Sequence, residues 1–475
     1  MRKRVSSEKP GPPEFSKNIV LAVTALTTFL SPFMLSAVNL ALPAISRTYT
    51  ASAVLLSWVA VSYLLSSAVF LVPAGKMGDI WGRKRVLLAG TWIFALSSLL
   101  CPLAPNLPLF LLLRSLQGVG GALMLTMGMA ILTSVFPSNE RGKALGVNVA
   151  AVYMGSSAGP FIGGFFISAL GWTSIFYLNA LLAGLAIGLL VKFVPFEWKE
   201  GKSKAIDIPG SLLYGVSLIS VMYGASILPS LQGGILLMAG GGVFLLFLRR
   251  MLRTEDPLFD VRLFSGNRVF AFSNIAALIN YAATYSVAFL LSLYLQYIKG
   301  MTPSEAGMVM MIQPLLQASL SPFAGRLSDR IEPGILASAG MFSTGLGLAL
   351  FAFLGERTPM GLIVSALVLL GVGFAFFSSP NINAIMGSVP ARFYGVASGS
   401  VGTMRVLGQM SSMAVITIIF ASLLGKESVT PQLYGVFLTA VRICFFISAS
   451  VCFVGVFFSW FRGSLHEKKE TPEGV

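Results

Sequence analysis

Eleven residues, Gly75–Arg85, read GKMGDIWGRKR and hold five charged side chains: Lys76, Asp79, Arg83, Lys84 and Arg85. The chain as a whole is only 11% charged. A carboxylate and a guanidinium in such a loop can form a charge-assisted pair. A carboxylate there can also meet the positive end of a neighbouring helix dipole. This is chemistry that makes and breaks contacts between states, not covalent bonds. Part of the pattern returns as GRLSDRIEPG, Gly325–Gly334, with Asp329 beside Arg330. Gly75 and Gly325 are 250 residues apart, and so are Asp79 and Asp329.

Three more arginines, Arg114, Arg405 and Arg442, fall inside apolar segments. Counting residues from the segment ends puts Arg405 about 15 Å deep, and Arg114 and Arg442 about 10 Å from the outer face, at the helical rise per residue. All eighteen acidic residues fall in tails, loops or the first turn of a segment. An arginine in a membrane is costly without a partner. Without a carboxylate, three readings stay open for Arg114 and Arg405: carbonyls freed at Gly/Pro breaks together with Gln117 or Gln409, water in a cavity, or an anionic group on a substrate. Arg442 can snorkel outward.

Other chemistries lack their residues. No deep His, Lys or paired Asp is present to activate a nucleophile, and no cluster has metal-ligand spacing. No phosphate-binding loop is present either, so neither an enzyme nor a nucleotide-driven pump is expected, and no cofactor. The lone histidine, His466, lies in the C-terminal tail. Cys101, Cys444 and Cys452 sit in apolar segments and read as small packing residues.

The elements that must carry these residues are membrane spans. The 475 residues are 55% apolar, with mean hydropathy +0.82. Apolar stretches of about 20 residues recur throughout. Fourteen spans are expected, the tenth over 304–325 and an extra pair over about 207–252. Connections on the side of both termini hold 26 Lys and Arg. The opposite side holds four, Arg47, Lys299, Arg357 and Lys426. That asymmetry predicts cytoplasmic termini. It also accounts for the net charge of +15 as a topology signal and a contact with anionic lipid, with no nucleic-acid partner. The expected architecture is all-α and integral to the membrane, with fourteen transmembrane helices in two pseudosymmetric six-helix bundles plus a two-helix insert. Its parts are a tail at 1–17, a bundle at 18–194, a linker with two extra helices at 195–267, a second bundle at 268–461 and a tail at 462–475.

The motifs resemble a family. GKMGDIWGRKR resembles the loop signature of the major facilitator superfamily, and RSLQGVGGALM, Arg114–Met124, its fourth-span motif. GSSAGPFIGGFF, Gly155–Phe166, resembles the fifth-span motif of its antiporters. With fourteen spans, the chain resembles the QacA/EmrB-like drug:proton antiporter branch. The resemblance implies gating by Gly75, Asp79, Gly82 and Arg83 and, in the second copy, by Asp329 and Arg330. Asp79 would cap the span starting near Gly395, and Asp329 would form the mirror latch against the span starting near Gly142. Gly155, Gly159, Pro160, Gly163 and Gly164 would form a hinge and seal, while Gly395, Gly399, Gly402 and Gly408 suggest close packing on the counterpart span. One departure stands out: the branch carries an Asp in its first span, and here MLSAVNLALP places Ser36 there. No proton carrier can then be named.

Candidate substrate contacts are Asn39, Arg114, Gln117, Tyr153, Tyr281, Tyr285, Gln313, Gln317 and Arg405, with Tyr63, Asn280 and Asn381 also on the expected cavity wall. Glu305, in TPSEAG, reads as part of a capping box. The expected function is proton-coupled efflux of amphipathic drugs by alternating access, from a monomer in the cell membrane. The alternative is a carrier of an anionic or lipid-like metabolite with a buried Arg as counter-ion.

Overall fold

The computed structural model describes residues 17–199, 206–254, 257–258, 261–390, 394–425 and 427–463. The rest of both tails, with His466, lies outside the described residues, as do Lys426 and linker residues 200–205.

Among the described residues the regular structure is helical. α1 (Lys17–Tyr49), α2 (Ala53–Trp81), α3 (Arg83–Leu100), α4 (Leu107–Val135), α5 (Ser138–Leu170) and α6 (Ser174–Phe193) form an N-terminal set. The insert is α7 (Ile208–Ser226) and α8 (Leu231–Arg253), followed by the short α9 (Arg262–Gly266). The C-terminal set holds α10 (Arg268–Leu293), α11 (Pro303–Met310), α12 (Ile312–Ser328), α13 (Pro333–Phe351), α14 (Met360–Gly387), α15 (Tyr394–Leu423) and α16 (Tyr434–Trp460). Among the described residues, thirteen helices are long and apolar enough to cross a membrane. The expected tenth span is not one of them, because 304–325 is broken into α11 and α12 at Met311. Pro314 explains the break: it has no N–H for the Met310 carbonyl.

Local sequence sets the helix starts. Asn106, Asp207, Ser230 and Asn267 each cap a helix with a side-chain oxygen. Thr302 and Glu305 form the expected capping box at α11. Gly82 separates α2 from α3 at φ +104°, a region that favours glycine.

Packing follows the small residues. α5 lies along α1 because Gly155, Gly159 and Gly163 face it. A Cβ at Gly155 would strike the Phe29 carbonyl. One at Gly159 would come 2.6 Å from Ser36 Cβ, and one at Gly163 2.7 Å from Ala37 Cβ. Of the described glycines on α15, only Gly408 does comparable work, against Leu278 and Tyr281 of α10; the surroundings of Gly395 lie outside the described residues. Gly399 and Gly402 meet open space, so the expectation of close packing along that stripe is corrected. The side chains facing outward from the bundle, such as Leu181, Met238 and Phe446, are apolar and exposed, as a lipid-facing surface requires.

Candidate functional site

Two connected spaces lie between the N-terminal and C-terminal sets. The larger, about 1120 Å³, reaches the helix ends at Asn267, Asp329 and Ser388, on the side that bears Lys17 and Trp460. The smaller, about 180 Å³, lies deeper. Val152, Tyr153, Tyr281 and Arg405 border both and partition them. Tyr153 Oη on α5 also donates to Ser378 Oγ on α14 at 3.1 Å, joining the two sets at this level.

The deep cavity gathers seven of the nine residues expected to contact substrate. Asn39 comes from α1, and Tyr153 from α5. Tyr281 and Tyr285 come from α10, Gln313 and Gln317 from α12, and Arg405 from α15. The break at Met311 and Pro314 turns both glutamines toward it. Asn39 is buried facing the Tyr285 hydroxyl, yet neither its Nδ2 and Oδ1 nor Tyr285 Oη forms a well-aligned hydrogen bond, and Gln317 Nε2 likewise lacks one. Arg405 makes no hydrogen bond or ion pair among the described residues. No carboxylate lines the deep cavity; Asp329 reaches only the outer one.

Arg114 and Gln117 are placed elsewhere. Arg114 is fully buried within the N-terminal set and lines neither cavity. Its Nε donates to Val59 O at 3.2 Å and its Nη1 to Gln117 Oε1. Gln117 Nε2 continues to Ser98 Oγ at 2.6 Å. The guanidinium lies 4.7 Å over the Tyr63 ring, and Tyr63 Oη shares a 2.5 Å hydrogen bond with Ser31. Arg114 thus reaches the cavity through Tyr63, which does line it, and through its field at Tyr285. Arg442 also bonds a backbone carbonyl, that of Leu354 at 2.5 Å. Asn280 is buried off the cavity, and Asn381 accepts from the buried Arg462 at 2.8 Å. Arg462, counted above with the tail, is in fact a buried anchor for α10 and α14.

The two charged loops differ. Arg83 Nη2 donates to Asp79 at 3.1 Å, and Arg83 Nη1 reaches Ala130 O at 2.9 Å and Ser134 Oγ. This ties the loop to α4. Glu197 accepts from Lys84 N at 2.8 Å and Arg85 N at 3.1 Å, and so caps α3. No capping of α15 by Asp79 is seen; residues 391–393 before that helix lie outside the described ones. Gly75 meets open space. Asp329 and Arg330 are exposed and unpaired with each other; the side chains of 138–139 and 141–143, at the start of α5 where the mirror contact would fall, lie outside the described ones.

The far side, away from the termini, is closed. Ser292 Oγ donates to Asn39 O at 2.6 Å, and Gln296 Nε2 to Leu40 O at 3.1 Å. Gln296 sits on a π-helical turn, Tyr294–Ile298. Ser57 and Thr417 pair at 3.0 Å, and Ala53 N donates to Glu427 O at 3.0 Å. A Cβ at Gly164 would come 2.6 Å from Pro303 O, and one at Gly307 would strike Pro160 O. The fifth-span glycines therefore serve two surfaces: α1 within the set, and α11 across it.

Ser31, Ser67, Ser156, Thr284 and Gln409 also line the deep cavity and were not singled out as contacts. Single hydroxyls in apolar helices carry no periodic signal, and only a proline four residues on, as at Ser156, marks a freed carbonyl.

The Major Facilitator Superfamily model matches residues 24–413 and 273–474. The riboflavin transporter RibZ of Clostridioides difficile is 33% identical over 448 residues, 94% of this chain and 97% of that protein. The multidrug resistance protein Stp of Mycobacterium tuberculosis is 30% identical over 411 residues, 85% of this chain and 76% of that one. The crystal structure of a D-xylose-proton symporter shares the fold, with TM-score 0.68 at 14% identity, covering 94% of this chain and 97% of that one. With helices able to cross a bilayer, a central cavity closed on one side, and these matches, the chain belongs to the Major Facilitator Superfamily and is a membrane transporter rather than an enzyme.

Proposed function

We propose that this transporter carries an uncharged or anionic aromatic compound rich in hydrogen-bonding groups, of which a flavin is the leading case. One observation carries the reading: the deep cavity has no acid, one unpaired arginine, and polar atoms of Asn39, Tyr285 and Gln317 that lack well-aligned hydrogen bonds. Each buried polar atom left unpaired costs about 1–3 kcal/mol. A cargo with amide or hydroxyl edges recovers that cost, and tyrosine rings flank a planar ring system. The name of the riboflavin transporter relative supports the same class. Arg405 would meet a carbonyl or an acidic group of the cargo.

Transport runs by alternating access between two pseudosymmetric bundles, α1–α6 and α10–α16, with α11 and α12 together as one broken span. That makes fourteen crossings. With cytoplasmic termini in the cell membrane, a cavity open toward the termini and a seal made at Ser292 and Gln296 support an inward-open state. It works as a monomer in the lipid bilayer. Multidrug efflux coupled to protons is the second reading, supported by the name of the mycobacterial relative and the apolar wall around the polar groups.

The test is flux in proteoliposomes under an imposed pH gradient, with riboflavin and a lipophilic cationic dye as probes. Riboflavin movement that falls at least tenfold in Gln317→Ala and in Arg405→Ala is expected. Gradient-driven movement of the dye with no riboflavin flux would establish the second reading instead.

A further inference from the structure

Ser36 lies on α1 with its side chain at the deep cavity. Its hydroxyl donates to the Ser156 carbonyl on α5 at 3.0 Å. That carbonyl is free because its helical partner four residues on is Pro160, which has no N–H. The approach is close: an added Cβ at Gly159 would lie 2.6 Å from Ser36 Cβ. One turn further along α5, the Pro160 carbonyl faces Gly307 of α11. One proline thus creates a bare carbonyl toward α1 and a contact with the other set.

We propose that Ser36 is a positioning residue: its hydroxyl replaces the donor that Pro160 removes, and so registers α1 on the turn of α5 that seals against α11. A hydroxyl stays neutral across the working pH range, so this junction holds at every pH. A carboxyl in its place could donate only when protonated. Once ionised, it would set two acceptors against each other in a medium of low dielectric.

The charged and titratable groups around this point come from several helices. They are Tyr153 on α5, Tyr63 on α2, Arg114 on α4, Tyr281 and Tyr285 on α10, Glu305 at the start of α11 and Arg405 on α15. α6 brings Tyr177 and Lys192, both exposed and near its ends. Of these, Tyr63 and Tyr153 bond Ser31 and Ser378, and Glu305 bonds Thr302. The junction is therefore left to the hydroxyl.

Thermal unfolding of the full chain in detergent over about two pH units either side of neutrality, from about pH 5 to about pH 9, tests this without any substrate. Ser36→Ala should lower Tm by a few degrees, equally at every pH. Pro160→Ala restores an N–H four residues from Ser156, so in that background Ser36→Ala should have no effect. Burial against the Ser156 carbonyl raises the carboxyl of Ser36→Asp well above its ordinary value near 3.9, so this variant should approach the wild type at the acid end and fall away as pH rises, since only the protonated form donates. If Pro160→Ala does not fold, the Ser36→Asp profile decides alone. An equal Tm loss from Ser36→Ala in both backgrounds, or a Ser36→Asp profile parallel to the wild type, overturns the proposal.

Discussion

Ser292 Oγ on α10 donates to the Asn39 carbonyl on α1 at 2.6 Å, and the acceptor exists because Pro43, four residues on, cannot bond it. The far-side seal is therefore built on a carbonyl that the proline leaves exposed. Gln296 adds a second bond, to Leu40 O at 3.1 Å. Removing both donors with Ser292→Ala and Gln296→Ala should cost the closed state about 1–3 kcal/mol, at roughly 0.5–1.5 kcal/mol per bond. That is on the order of a 5- to 150-fold shift toward opening on the far side. Labelling of a cysteine placed at Ser67, by an impermeant maleimide added to intact cells, should rise accordingly. Unchanged labelling would show that the seal rests on packing alone.

Glycines at the seal and glycines on the open stripe should respond oppositely to alanine. Gly307→Ala drives a methyl into the Pro160 carbonyl, and Gly164→Ala puts one 2.6 Å from Pro303 O. Backbone cannot yield as a side-chain tip can, so α5 and α11 must part. Both variants should lose most flux and leave the far side leaky. Gly399→Ala meets nothing and should gain helix stability, by up to about 1 kcal/mol. Flux and Tm for the three variants check this, and equal losses in all three would refute it.

Much of this was legible in the sequence. Hydropathy and charge asymmetry outlined the helices, and the loop motif paired Asp79 with Arg83 as the structure does. Tyr and Gln positions along α5, α10 and α12 converged on one cavity. Three things were not legible. The break in 304–325 needs Pro314 to act on a carbonyl near the helix middle, and hydropathy averages that away. Arg114 and Arg405 read alike in sequence, as arginines inside apolar segments without a carboxylate partner. What separates them is that Tyr63 and Gln117 enclose the first, while nothing bonds the second. Glu197 lies 113 residues from Lys84, whose N–H it accepts, and no local pattern links them.

That carboxylate gives a third prediction. Glu197 takes two backbone N–H groups at the start of α3, while Arg83 N donates to Trp198 O at 2.9 Å. The segment after α6 is thereby stapled to the charged loop. Glu197→Ala should cost about 0.5–2 kcal/mol, as loss of a helix cap does. Glu197→Gln should recover part of it, since the amide oxygen still accepts. Thermal unfolding reads both, and a wild-type Tm in Glu197→Ala would remove the staple from the account.

The insert should respond to acid at its own clasp. Asp207 caps α7, accepting from Gly210 N at 3.1 Å, and pairs with Arg250 of α8 at 2.7 Å. The Arg250 hydrogen bonds, with help from the Gly210 N–H, hold the Asp207 carboxyl below its ordinary value. A depressed carboxylate stabilises the fold above its unfolded value, near 3.9. That stability is lost as pH falls through the lower folded value. Arg250 is 40% exposed, so solvent screening keeps the pair's contribution small. Asp207→Asn keeps a capping oxygen and removes the charge. Its Tm should sit below the wild type at neutral pH and meet it in strong acid, as both lose the clasp. A gap that persists unchanged into acid would mean that packing, not the charge, joins α7 to α8.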